Sequence, residues 1–167
     1  MKLNPARCLI LACGNTLRGD DGVGSWLCAW AEERFASDPN VRALSRQQWT
    51  PDLAEEIART ESVLFIDCSV DSTPGSVTLT PVELACAKQG LATHHQGAPE
   101  LLALARELYN SLPRNARLLT VGAGSMELGE EFSDAVSASL PDACHLIEET
   151  VLRMIGYPEL PPQPSRM

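Results

Sequence analysis

Histidines are few in this chain, three against 22 acids, and the acids and imidazoles placed to act together fall beside glycines and strand ends. Asp20 and Asp21 stand together in Gly14-Asn15-Thr16-Leu17-Arg18-Gly19-Asp20-Asp21-Gly22-Val23-Gly24. Asp67 follows the apolar run Val63-Leu64-Phe65-Ile66, and His94-His95 lie within Thr93-His94-His95-Gln96. Imidazole combined with carboxylate suits a borderline divalent metal such as zinc or nickel. Each residue also has an ordinary structural use. Asp20 can cap a helix, and Asp21 can occupy a first turn, where the helix dipole favours an acid. Asp67 can cap a loop, and the two histidines can be surface or capping residues. One helix start accounts for a single acid more easily than for two acids among three glycines. His145, beside Cys144, reads as a surface or packing histidine of a helix.

Other chemistries fit the residues less well. Gly14-x-x-x-x-Gly19 has the spacing of a phosphate-binding loop, but Asp20 and Asp21 replace the Lys and Ser/Thr that attract a phosphate. Gly22-Val23-Gly24 is too short and misplaced for a dinucleotide fingerprint. No Ser-His-Asp arrangement is evident, no H-E-x-x-H helix occurs, and no thiol stands in a nucleophile motif. The cysteines Cys8, Cys13, Cys28, Cys68, Cys86 and Cys144 form no C-x-x-C pair. They are expected to be reduced core thiols.

The elements that must position these groups alternate. Residues 7–13 read as a buried strand closed by Gly14-Asn15, and 22–35 as a helix with Val23, Trp26, Leu27 and Trp30 on one face. Residues 40–49 read as a weaker strand. Thr50 is expected to cap a helix with Pro51 at its first position, running to about residue 59. Strands are expected over 62–70 and 117–121. Residues 75–82 read as an edge strand, because Pro81 cannot serve a central ladder. Helices are expected over 99–112 and 132–155, the latter kinked or split at Pro141. The order β-α-β-α-β-β-α-β-α implies an α/β three-layer sandwich, a mostly parallel sheet with helices on both faces. Residues 1–156 read as a single domain, and the proline-rich 157–167 as an extended or disordered tail. In such sheets ligands bind beyond the carboxyl ends of the strands. Two carboxylates and an imidazole can therefore meet at one rim.

The chain has 167 residues, 44% hydrophobic and 21% charged, which suits one soluble domain with a sizeable core. Its net charge of −9 and lack of Lys/Arg clusters argue against nucleic acid and against an anionic membrane surface. No apolar run approaches the length of a membrane span, and the residue 8–12 run is too short for a signal peptide. A cytoplasmic protein is expected, a monomer on the simplest view. Trp26 and Trp30 are expected in the core; Trp49 is a candidate for touching a partner.

Taken together, these residues resemble the nickel–iron hydrogenase maturation proteases. That family opens with a strand and G-N-x-L-x-x-D-[DE]-G-x-G, matched here at every fixed position of Gly14 to Gly24. An aspartate ends its third strand, as Asp67 does. A histidine followed by an acid or Gln precedes a helix, as in His95-Gln96 before Leu101-Leu102. Leu118-Leu119-Thr120-Val121-Gly122 and the helix start at Phe132-Ser133 are also similar, so the resemblance covers roughly residues 7–155. It implies a five-stranded twisted sheet between helices. It also implies a metal held by Asp21, Asp67 and His95, with His94 as the alternative if the register slips by one.

The implied activity is that of an endopeptidase. It removes the C-terminal extension of a hydrogenase large-subunit precursor after nickel insertion and reads the substrate's own nickel. Asp21, Asp67 and His95 are then both ligands and catalytic residues, with the nickel positioning the scissile bond or acting as Lewis acid. Asp20 is assigned a base or orienting role. Two departures stand out. Gln47-Gln48-Trp49-Thr50-Pro51-Asp52 replaces a Gly-Gly-Thr stretch, and Ala123-Gly124-Ser125-Met126-Glu127 lacks a proline after the last strand. Two other classes remain open at this point: a maturation chaperone that reads the metal without cutting, and a flavodoxin-like binder with an incidental acidic rim.

Overall fold

The computed structural model of the chain describes residues 6–84 and 97–156. Its centre is set by two strands that are apolar on both faces. In β1 (Cys8–Cys13) and β3 (Ser62–Ser69), Cys8, Ile10, Ala12, Leu64 and Ile66 point to one side, and Leu9, Leu11, Val63 and Phe65 to the other. A strand buried on both faces must lie inside a sheet covered by helices. Among the described residues, five strands form one sheet in the order β2-β1-β3-β5-β4, with β2 at Val41–Arg46, β4 at Val77–Pro81 and β5 at Asn115–Gly122. β2, β1, β3 and β5 run parallel, and β4 pairs antiparallel with β5 at the edge. Pro81 ends that edge strand, where its missing N–H costs no interior hydrogen bond.

Helices cover both faces, giving the expected three layers. α1 (Val23–Arg34) and α4 (Asp134–Met154) pack on the Ile10/Ile66 side, and α2 (Leu53–Ala58) and α3 (Ala98–Tyr109) on the Leu11/Phe65 side. Pro99 lies in the first turn of α3, where a missing N–H is harmless, and Asn110 ends the helix in the left-handed conformation. Ser133 caps α4, accepting the Val136 N–H at 3.4 Å. The helix runs on through Pro141 without splitting. No helix among the described residues is long and apolar enough to cross a membrane.

Several expectations needed correction. α2 begins two residues later than Pro51, because residues 51–52 form a turn. There Thr50 and Pro51 supply backbone carbonyls to Leu53 and Ala54, and the Thr50 hydroxyl bonds Asp52 rather than capping the helix. Trp26 is not core: it is 42% exposed, on the outer flank of α1, while Trp30 is half-buried. Trp49 is not a surface contact. It is buried and meets the Phe65 ring edge-on, with centroids 5.2 Å apart. Cys8, Cys13, Cys28, Cys68 and Cys144 are free thiols, as expected. Cys86, His94, His95 and the residue 157–167 tail lie outside the described residues.

Candidate metal and peptide-binding site

β1 leads leftward to β2, whereas β3 continues rightward to β5, so the strand order reverses between β1 and β3. That switch point opens a crevice beyond the carboxyl ends of the two strands, the ordinary place for a ligand in such sheets. Cys13 ends β1, and Asp67 lies near the end of β3.

The loop after β1 is shaped by its glycines. Gly14 has φ +150°, and a Cβ there would meet the Asp21 carbonyl oxygen at 1.9 Å. The loop therefore folds back onto its own start. Gly24 lets α1 approach the sheet, since a Cβ would meet the Cys13 carbonyl oxygen at 2.4 Å. The acid pair sits in a single 3-10 turn, Gly19–Gly22, directly before α1. Asp21 Oδ2 accepts the Asn15 N–H at 2.8 Å, and among the described residues its other oxygen has no donor.

Asp67 Oδ1 accepts the Cys68 N–H at 2.7 Å. Burial pushes its carboxyl above the ordinary range; the Cys13 thiol and the Cys68 amide pull it back, and the charge of Asp21 adds repulsion. The structure thus brings Asp21 and Asp67 into each other's field at one rim. Two carboxylates that repel each other, one partly desolvated, are an arrangement that a cation relieves. Among the described residues, no three His, Cys, Asp or Glu side chains form a metal-holding group. Neither Cys13 nor Cys68 supplies a nucleophile at this rim. Burial, with the neighbouring Asp67 carboxylate next, raises the Cys13 thiol far above neutrality, and burial pushes Cys68 up to about 12.

Asp20 is neither a helix cap nor a base. It is fully buried and accepts four hydrogen bonds from the segment between β5 and α4. Oδ2 takes the Gly124 N–H at 2.7 Å, the Ser125 N–H at 2.8 Å and the Ser133 hydroxyl at 2.7 Å; Oδ1 takes the Ser133 N–H at 2.7 Å. Burial raises its carboxyl, but these donors outweigh burial and hold it below the ordinary value. A carboxylate buried in this way and held by four donors is out of reach of a substrate proton. Backbone bonds extend the junction: Gly19 N–H to Gly129 carbonyl at 2.8 Å, Gly129 N–H to Leu17 carbonyl at 2.8 Å, and Asp20 N–H to Ser125 carbonyl at 3.0 Å. Sequence reasoning missed this clamp. Its nearest sequence signal was Ser133 at the start of α4.

No family model and no curated protein matches the chain. Solved structures do. Nickel–iron hydrogenase maturation protease HybD from Thermococcus kodakarensis superposes with a TM-score of 0.63 at 28% identity, over 86% of this chain and 98% of that one. Hydrogenase 2 maturation peptidase from a Thaumarchaeota archaeon gives 0.63 at 25% identity, over 87% and 97%. The hydrogenase maturating endopeptidase HybD of E. coli shares the fold, with a TM-score of 0.65 at 20% identity over 90% and 94%. With the Gly14 to Gly24 motif and the acid pair at the switch point, these likenesses give the chain the fold of the nickel–iron hydrogenase maturation proteases and support that family of peptide hydrolases as its relatives.

Proposed function

We propose that the protein removes the C-terminal extension of a nickel-loaded hydrogenase large-subunit precursor, acting in the cytoplasm. The observation that carries this reading is the approach of Asp21 and Asp67 at the β1/β3 switch point. His95 is the third ligand in this reading. α3, which His95 precedes by three residues in the sequence, packs on the same side of the sheet as Phe65, two residues before Asp67. The nickel belongs to the substrate. Asp21 offers its unshared oxygen to it, and Asp67, held by the Cys68 amide, offers the second carboxylate.

Nickel bound this way recognises a finished precursor and draws the scissile bond to the rim, where its charge can polarise the carbonyl. The aspartates act here as ligands that must be ionised, and the imidazole must be neutral, so processing falls in acid. Incubating the protein with a nickel-loaded precursor and weighing the product tests the reading. Loss of the C-terminal peptide with the wild type, and its retention with Asp21→Ala, Asp67→Ala and His95→Ala, is the expected result. An unchanged precursor mass with the wild type refutes cleavage and leaves a chaperone that only reads the metal.

A further inference from the structure

Beside the acid pair, the same loop walls an open cleft of about 270 Å³ lined by Thr16, Gly22, Ser25, Trp26, Glu130 and Phe132. Gly22 and Thr16 follow Asp21 and Asn15 directly in the chain, so the cleft borders the proposed metal site. Its volume is below the roughly 300–1,000 Å³ of pockets for whole small molecules, and suits one or two side chains. Trp26 contributes an exposed aromatic face on α1. Leu17, 55% exposed, and Leu128, 88% exposed, extend the apolar surface along the backbone bridge that joins their loops.

The far wall is fixed in place, because Asp20 ties Gly124, Ser125 and Ser133 to the acid-pair turn on either side of Glu130. Among the described residues Glu130 is the only charged one lining the cleft, and Glu127 and Glu131 stand exposed in the same segment. An apolar floor with an acidic lip selects its occupant by charge: an apolar side chain enters, and a basic neighbour meets Glu130.

We propose that this cleft is a substrate subsite that seats an apolar side chain of the precursor, with an adjacent Lys or Arg of the same segment facing Glu130. The proposal rests on the processing function above for the identity of that segment. Occupancy holds the precursor beside the metal site without touching the reacting atoms. Loss of the subsite therefore weakens binding of ground state and transition state alike, which raises KM and leaves kcat.

The test measures precursor affinity and processing kinetics, using a nickel-loaded large-subunit precursor, for the wild type, Trp26→Ala, Glu130→Gln, Glu130→Lys and the distant surface control Glu107→Lys. Trp26 and Glu130 are exposed, so these variants fold. The expected result is a KM and Kd raised about tenfold in Trp26→Ala and Glu130→Lys, less in Glu130→Gln, with kcat within about twofold of the wild type and Glu107→Lys unchanged. Unchanged Kd and KM in Trp26→Ala and Glu130→Lys, with the wild type cutting normally, overturn the subsite and spare the processing function. A wild type that never cuts, yet binds the precursor in a way that depends on Trp26 and Glu130, keeps the subsite and refutes processing. A precursor that does not bind at all overturns both.

Discussion

Asp20→Asn isolates the clamp between the acid-pair turn and the residue 123–133 segment. The substitution keeps the shape and removes the charge. Placed with its oxygen at Oδ2, the amide keeps the Gly124, Ser125 and Ser133 hydroxyl donors, but turns its NH₂ toward the Ser133 N–H. One buried donor then faces another donor, at about 1–3 kcal/mol. The three remaining bonds lose charge assistance, which accounts for a further few tenths to about 1 kcal/mol each. The sum is about 3 kcal/mol, and for a domain of this size that lowers Tm by about 6–12 °C. The pH dependence has a definite sign. The folded carboxyl lies below its unfolded value, so its contribution is complete above the ordinary Asp pKa of about 3.9 and is lost as pH falls through the lower folded value. Urea unfolding of wild type and Asp20→Asn from pH 7 downward is the assay. The gap should be largest at neutral pH and shrink below about pH 4. A gap under about 0.5 kcal/mol at pH 7, or one that widens in acid, refutes the clamp.

Asp67 carries the opposite sign. Burial and then Asp21 raise its folded carboxyl above the unfolded value, so the ionised group penalises the apoprotein at neutral pH, and the penalty is relieved as pH falls toward the unfolded value. Asp67→Asn should therefore melt at or above the wild-type temperature at pH 7 without metal, yet fail to process precursor. A drop of more than about 1 kcal/mol in its unfolding free energy contradicts that assignment. Gly24→Ala drives a Cβ to 2.4 Å from the Cys13 carbonyl oxygen and 3.4 Å from that of Ile66, both backbone. α1 must lift from the sheet, at about 1–3 kcal/mol, so thermal melting should fall measurably; an unchanged Tm counts against the close approach.

The layered α/β fold was legible because β1 and β3 are uninterrupted apolar runs and the helices have matched apolar faces. Pro81 marked the edge strand and Pro99 the first turn of α3, each through the lost N–H. The acid pair was legible as chemistry because two carboxylates among glycines exceed what a helix start needs. The roles within the pair were not. Asp20 and Asp21 are adjacent and chemically identical, yet one is sealed by four donors more than a hundred residues away and the other keeps an oxygen free. Trp26 and Trp49 were read the wrong way round for the same reason. Periodicity places a side chain on a helix face, but which helix or loop covers that face depends on the packing of distant segments.

Sequence alone thus determined the elements, their alternation and the residue types available at the switch point, since backbone propensity and apolar periodicity act over a few residues. Only the tertiary structure decided which acid is structural, how near Asp67 comes to Asp21, and that a cleft opens between Trp26 and Phe132. Those outcomes turn on hydrogen bonds and desolvation between segments that no local pattern connects.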